Sequence, residues 1–323
     1  MLIDKKAIVS TNNRLSTLSE KVILRMLYFE IFSYPLNLKE LIHYLSIPSS
    51  KIDLLKAELS KLCGSSLLYK IDGHYTTKNR PDWIKHRREA NLRAQQCEKK
   101  ANRRAAFIAR FPFVRGVFFS GTFAKGLMYN DSDVDFFIVT KPERLWLART
   151  LLVLYKKIFL LNSRKYFCVN YFVDEDHLKI TEKNLFTATE IMTMLPANGA
   201  QIYQRFCEAN PWVNSFYKNF KTRKTAIDTL KPNRLKDWIE SFFSGKLGEN
   251  LDNLCYRSTL KFWRKKFNWM NEDTFQLALK SKKYLSKHHP SNYQIRVLRK
   301  YKYAIEEFEK LHAIKLRRLT LVD

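Results

Sequence analysis

The chain has 323 residues, enough for two or three small domains with cores of their own and too many for a peptide or a disulfide-stapled scaffold. Hydrophobic residues make up 46% and aromatics 14%, which excludes an intrinsically disordered chain, and 8 Gly with 9 Pro leave few turns, so long helices are expected rather than a many-stranded sandwich. Lys and Arg number 58 against 31 Asp and Glu, a net charge of +27, which points to an acidic partner, nucleic acid first and an anionic membrane second.

That excess is unevenly spread. Residues 1–77 carry +3, residues 78–110 carry +8, residues 111–215 carry +2 and residues 216–323 carry +14. The third segment is close to neutral between two basic arms, so its chemistry need not explain the basicity. Cys63, Cys97, Cys168, Cys207 and Cys255 are scattered without metal or redox spacing. An odd, dispersed set reads as buried thiols in a reducing cytoplasm. The N-terminal MLIDKKAIVSTNN has no apolar core of signal-peptide length. The most apolar run, Leu145 to Leu161, is interrupted by Arg149, Lys156 and Lys157, so a buried amphipathic helix is expected and no membrane span.

In chain order, residues 17–33 predict a helix with Val22, Leu24, Met26, Leu27 and Phe29 as its apolar positions. A second short helix, LKELIHYL, follows the SYPLN break. Ser50, with Asp53 three residues on, predicts a capping pair opening a third helix that ends at Gly64. LLYKI and HYTTK, two β-prone runs around Asp72–Gly73, predict a hairpin. Three short helices and a hairpin over residues 17–78 resemble a winged helix-turn-helix domain. DNA binding and protein packing are both open to such a domain. Its candidate recognition helix, KIDLLKAELSKLCG, carries no Arg, Asn or Gln for bidentate base readout. Pro81 then opens a helix-forming polar stretch to Arg110. It is either a solvated connecting helix or a basic rib for phosphates, with Arg87, Arg88, Arg103 and Arg104 as the candidate nucleic-acid contacts.

Residues 114–140 read VRGVFFSGTFAKGLMYNDSDVDFFIVT. An apolar strand runs into Gly121–Thr122, and Asp133-Val134-Asp135 leads into a second strand, FFIVT. Positions i and i+2 of a strand share a face, so Asp133 and Asp135 aim two carboxylates at one point. Two converging carboxylates suit Mg²⁺, a hard cation that shares oxygen ligands with phosphates.

Ser120-Gly121-Thr122, Lys125-Gly126 and Ser132-Asp133-Val134-Asp135, at this spacing, resemble the signature of the polymerase-β-like nucleotidyltransferase superfamily. The resemblance implies a nucleoside triphosphate (NTP, with ATP the first candidate) as substrate and Mg²⁺ or Mn²⁺ as cofactor. In it, Asp133 and Asp135 would bind metal and carry catalysis. Ser120, Gly121, Thr122, Lys125 and Ser132 would bind the nucleotide. The superfamily usually supplies a third acid from a neighbouring strand. Here that strand reads KYFCVNYFVDED, with Asn170 at the corresponding place and Asp174 beyond it. An amide ligates a metal but takes no proton at neutral pH. Either Asp174 substitutes, or two aspartates suffice, or the site is inactive.

The likeness extends to about residue 215. RLWLAR, CVNYFVDED, the region from Thr187–Ala188 to Glu190–Ile191, and CEANPWV resemble a group of bacterial proteins described only as predicted nucleotidyltransferases, in which Asn in that strand is usual. Glu190 and Asn210 stand out there as polar residues whose simplest reading is helix surface or cap.

Residues 216–323 read as all-helical. LRKYKYAIEEFEKLH places Leu298, Tyr301, Ile305 and Phe308 on one core stripe. The run from Phe262 to Phe267 interleaves aromatics with cations, either for stacking on bases or as a core face beside a basic one. His288-His289-Pro290 reads as a loop.

The expected fold is α+β: a winged-helix-like domain at 1–78, a basic connecting helix at 79–110, a nucleotidyltransferase α/β core with a small mixed sheet at 111–215, and a basic helical region at 216–323. The expected function is cytoplasmic transfer of NMP from an NTP to a hydroxyl of RNA, tRNA, a small molecule or a protein, releasing pyrophosphate. The alternative is a catalytically impaired, nucleotide-sensing regulator that binds RNA or DNA.

Overall fold

The computed structural model describes residues 15–163, 165–223, 233–289 and 292–317. The N-terminal thirteen residues and Pro290, on which two expectations bear, lie outside these. The chain divides into two compact units: the described residues up to Ile84 together with those from Arg299 onward, and Lys85–Leu298.

In the first unit, α1 (Thr17–Glu30) begins where Ser16 Oγ accepts the Ser19 amide hydrogen. All five of its predicted apolar positions are buried. β1 (Leu36–Asn37) leads into α2 (Leu38–Leu45). The reciprocal capping pair forms here, between Asn37 and Glu40, not at Ser50 and Asp53. α3 (Ile52–Gly64) instead grows out of a 3₁₀ turn at Ser49–Lys51 and has no side-chain cap, which leaves Asp53 to pair with Lys56 at 2.9 Å. β2 (Tyr69–Ile71) and β3 (His74–Thr76) form the hairpin, with Asp72 and Gly73 both at positive φ, the conformation an Asp-Gly turn is chosen for. β1 adds to β3, making a three-stranded antiparallel sheet.

α4 (Pro81–Ala109) is the long helix expected from Pro81. Ala90, Ala94, Ala101, Ala105 and Ile108 are buried along one stripe, and small side chains there let the helix lie close to what it covers. It is thus neither solvated all round nor basic all round. Arg87 lies on the buried stripe, Arg88 and Arg103 are exposed, and Arg104 is partly exposed.

The second unit continues through β4 (Val114–Ser120), the single turn α5 (Gly121–Ala124), β5 (Asp135–Thr140), α6 (Leu145–Phe159), β6 (Cys168–Asp174), α7 (Leu185–Thr193), β7 (Leu195–Asn198) and α8 (Ala200–Ala209). Then come α9 (Arg234–Phe242), α10 (Lys246–Lys266), α11 (Glu272–Ala278), β8 (Ser281–Lys282), β9 (Leu285–Lys287) and α12 (Tyr293–His312). The sheet order is β7-β4-β5-β6-β9-β8. Only β5 and β6 run parallel, joined by the crossover helix α6; every other neighbouring pair is antiparallel.

Both faces of this mixed sheet are covered, which is why its central strands read as unbroken apolar runs. Val117, Phe119, Phe136 and Ile138 pack with α4, α6 and Trp263 of α10. On the other face Phe118, Phe137 and Tyr171 stack with Tyr203 and Phe206 of α8. α6 is buried through Leu152 and exposed at Leu154, Ile158 and Phe159. Its Arg149 is buried against the rings of Trp146 and Trp263, at 5.6 and 4.7 Å, where burial pushes its guanidinium down to about 10. Among the described residues, no helix is long and apolar enough to cross a membrane.

The C-terminal region departs from its all-helical expectation. The β8–β9 hairpin extends the main sheet, with β9 pairing antiparallel to β6. Segments of two and three residues are too short to show a period of two in the sequence. Residues 216–298, where described, belong to the same unit as residues 111–215, whereas the helix from Arg299 belongs to the first unit. There Tyr301, Ile305 and Phe308 are buried, and Tyr301 donates to the Leu24 carbonyl at 3.0 Å with its ring edge-on to Tyr28.

At the end of α1, the Glu30 carboxylate accepts from the Thr77 amide and hydroxyl, and burial pushes its pKa up to about 7. A carboxyl raised in the folded state contributes stability below its unfolded pKa that is lost as pH rises through the folded one. The urea midpoint of the wild type is therefore expected to fall relative to Glu30→Gln between about pH 5 and about pH 8. Parallel midpoints for the two proteins across that range would contradict it.

Candidate active site

β4 and β5 pair in a register that puts Ser120 opposite Asp135. The turn leaving β4 and the aspartates entering β5 therefore meet at one end of the sheet. Asp133 lies on the approach to the strand. Val134, extended, donates to the Lys165 carbonyl and accepts from the Cys168 amide, which ties this approach to the start of β6.

Gly121 makes the meeting close. Its φ is +66°, and a Cβ there would stand 2.5 Å from Asp135 Oδ2. Both the backbone conformation and the contact disfavour any other residue. One turn later Lys125 curls back, its Nζ donating to the Gly121 carbonyl at 3.0 Å and to Glu190 Oε1 at 2.7 Å. Gly121 N donates to Glu190 Oε2 at 3.2 Å. Glu190 comes from α7, whose start is fixed by Asn184 accepting from the Thr187 amide. From the opposite side, Asn170 Nδ2 lies 3.4 Å from Asp135 Oδ1 and 2.9 Å from Cys168 Sγ.

Burial pushes Asp135 up to about 6; its hydrogen bond with Cys168 opposes this, the Asp133 and Glu190 charges add to it, and Lys125 opposes it. The Cys168 thiol is driven up by burial and by the two aspartates, and stays protonated. Burial and the Lys287 charge push His289 down to about 4 against the pull of the Glu190 charge, so the imidazole is neutral and offers Glu190 no countercharge. Asp135 is thus a desolvated carboxylate with two other acids acting on it and one lysine compensating. Such crowding favours a bound cation or a shared proton.

Of the residues singled out in the sequence, Ser120, Gly121, Thr122, Lys125, Asp133, Asp135 and Asn170 are gathered at this end of the sheet. Ser132 has a local role, its Oγ accepting from the Tyr129 amide to close the turn before Asp133. Asp174 is not near. It ends β6 opposite Thr140, six residues along from the Cys168–Asp135 pair, or about 20 Å at the rise of a strand. There it accepts from His177 Nδ1 and the Asp176 amide. Asp174 therefore cannot substitute for the missing acid. Asn210 is fully buried and structural, bonding Leu178, Ile180, Phe206 and Trp212.

Glu190 is the residue the sequence understated. The signal available was a single acid within an otherwise uncharged helix, LFTATEIMT. Among the described residues no group of three or more His, Cys, Asp or Glu side chains is placed to hold a metal ion. The carboxylates on offer from the motif are two, Asp133 and Asp135, while Glu190 is engaged by Lys125.

Away from this site, the run from Phe262 to Phe267 splits its roles. Trp263 and Phe267 are core, whereas Phe262 is exposed with Lys157 and Lys266 near its ring at 5.7 and 6.0 Å. α6 has no acidic residue and α10 has none after Asp252, so Lys157, Arg257, Lys261, Lys265 and Lys266 give the end of α6 and the C-terminal half of α10 outer surfaces whose own charges are all positive.

No family model matches the chain, and no curated protein or solved structure matches it.

Two outcomes follow from the geometry. Gly121→Ala should cost about 2–3 kcal/mol of stability, from the positive φ and the clash, and Asp135→Ala in the same chain should recover roughly 1 kcal/mol of it in a double-mutant cycle by urea denaturation. Asp135→Asn removes a carboxylate whose folded pKa is raised, so in EDTA it should melt higher than wild type at about pH 8, by on the order of 1–2 kcal/mol, with the advantage vanishing near pH 4. A destabilised Asp135→Asn at the higher pH would show that the carboxylate is held by contacts rather than strained by charge.

Proposed function

We propose that this protein is a metal-dependent nucleotidyltransferase, moving a nucleoside monophosphate from an NTP to an acceptor hydroxyl. The supporting observation is the convergence of the Gly121–Lys125 turn with Asp133 and Asp135 through one strand register. On this reading Lys85–Leu298 contains a nucleotidyltransferase core, and the three helices and small sheet of the first unit are a winged-helix-like module.

The donor set fits Mg²⁺ of a particular kind. Two carboxylates do not make a cage, but one or two carboxylates with substrate phosphates are the usual Mg²⁺ environment. Asp133 and Asp135 would hold the ion with the nucleotide, and the charge crowding on Asp135 is what an arriving cation relieves. When bound, the ion supplies charge neutralisation at the transferring phosphate and a lowered pKa for the attacking hydroxyl. Gly121, Thr122 and Lys125 would orient the triphosphate. The acceptor oxygen bonds to the α-phosphorus, the bond to the bridging oxygen breaks, and pyrophosphate departs while the hydroxyl proton passes to solvent or a base. Asn170 orients Asp135 and takes no proton itself.

The acceptor class follows from charge. The basic C-terminal half of α10, Lys157 at the end of α6, and the exposed Arg88 and Arg103 favour a polyanion, with RNA first. The second reading, a nucleotide-sensing regulator that binds RNA or DNA without turnover, is favoured by Asn170 standing where an acid is usual.

Incubation with α-³²P-labelled NTPs, Mg²⁺ and total RNA is expected to label RNA. Asp133→Ala and Asp135→Ala should each reduce the rate by at least about a hundredfold. In isothermal titration, Mg²⁺ should bind measurably only with nucleotide present. Absence of transfer to RNA, protein or small-molecule acceptors, or transfer indifferent to both aspartates, would reject the enzyme.

A further inference from the structure

Glu190 holds the two groups that the turn would offer to an anion. Its Oε2 accepts from the Gly121 amide and its Oε1 from Lys125 Nζ, at 3.2 and 2.7 Å. Both partners are largely withdrawn from water, the side chains of Lys125 and Glu190 being 11% and 24% exposed. A carboxylate with two oxygens spread over one amide and one ammonium has the charge and bite of a phosphate edge. Its other neighbours offer it little reason to be there. The Asp135 charge lies close enough to be felt, and His289, which feels the Glu190 charge, is neutral. Like charges at short range in a dry site repel, so the lysine and the amide must hold Glu190 against Asp135.

We infer that Glu190 is a built-in stand-in for phosphate: it occupies the anion place of the Gly121–Lys125 turn in the empty protein and is displaced when a triphosphate arrives. This rests on reading the turn as the triphosphate site, and adds to it a competitor that sets nucleotide affinity. The exchange conserves hydrogen bonds. Lys125 and Gly121 keep a negatively charged acceptor throughout, first carboxylate and then phosphate, so neither donor is left unpaired and buried at any stage. It also keeps Lys125 beside Gly121 before substrate binds, since the ammonium is bonded to the Gly121 carbonyl independently of Glu190.

The alternative role for Glu190, holding Lys125 in place for the nucleotide, gives the opposite sign. If Glu190 is a competitor, its loss strengthens anion binding; if it is a positioning residue, its loss weakens it. The probe is inorganic pyrophosphate, titrated calorimetrically without metal into wild type, Glu190→Gln, Glu190→Asp and Lys125→Met. Glu190→Gln keeps the shape and removes the charge, and Glu190→Asp keeps the charge and shortens the reach, so failure of one to fold leaves the other.

Glu190→Gln is expected to bind pyrophosphate about tenfold more tightly than wild type, Glu190→Asp to lie between them, and Lys125→Met to bind more weakly than wild type. Pyrophosphate binding unchanged or weakened in both Glu190 variants, or absent from every protein, overturns the stand-in. Transfer from NTP by the wild type is scored separately. Tighter pyrophosphate binding by the variants with no transfer by the wild type upholds the stand-in and removes the enzyme, whereas transfer with no tightening upholds the enzyme and removes the stand-in.

Discussion

The antiparallel pairing of β4 with β5, with Ser120 opposite Asp135, is the constraint on which the site depends. A slip of one residue would turn every side chain of a strand to the other face. It would exchange Phe118 with Phe119 and Phe136 with Phe137, and both faces are packed, so the aromatic layers that cover the sheet hold the register. The site therefore borrows its precision from the core. Because Gly121 touches Asp135 directly, the strand register also sets the distance between the turn and the aspartate.

Electrostatics at this end of the sheet works against stability. Asp133 and Glu190 both act on the desolvated Asp135, with Lys125 as the compensating charge. Folding holds them there because the strands and α7 are fixed by apolar burial elsewhere. The neutral groups around them, the Cys168 thiol and the Asn170 amide, satisfy hydrogen bonds without cancelling negative charge. What remains is a net negative charge, which, on the function proposed above, an Mg²⁺–nucleotide complex would offset at the aspartates while its phosphates take over the lysine.

Basicity and chemistry are separate properties of this chain. The segment with the converging residues is nearly neutral, and +22 of the +27 lies in residues 78–110 and 216–323. Within Lys85–Leu298 that charge reaches the surface on α4 and α10, while buried cations are put to structural use. Arg149 stacks between tryptophans, and Arg144 bonds the Phe243, Ser244 and Gly245 carbonyls. Asp252, fully buried, accepts hydrogen bonds from the Leu147 amide at the start of α6 and from Lys283 Nζ, placing an acid where the helix dipole is positive.

Local rules carried the sequence a long way. Apolar periodicity gave α1 and three of the four core positions expected on α12, Leu298 being only half-buried; a polar run of helix formers without a breaker gave the long helix from Pro81; Asp72–Gly73 gave the hairpin; and the Gly-Thr and Asp-Val-Asp motif marked the meeting point of two strands. Each is written in a few neighbouring residues, where spacing alone fixes which side chains share a face. The sequence misled where a cap or strand depended on competition: Asn37 and Glu40 took the capping box looked for at Ser50, and β8–β9 formed because β6 offered an unpaired edge. Tertiary structure alone decided that Asp174 lies a strand's length from Asp135, that Glu190 reaches the Gly121 amide across 69 positions, and that Tyr301 packs on α1. Those are distances between residues far apart in the chain, and only the packing of whole elements, driven by apolar burial, sets them.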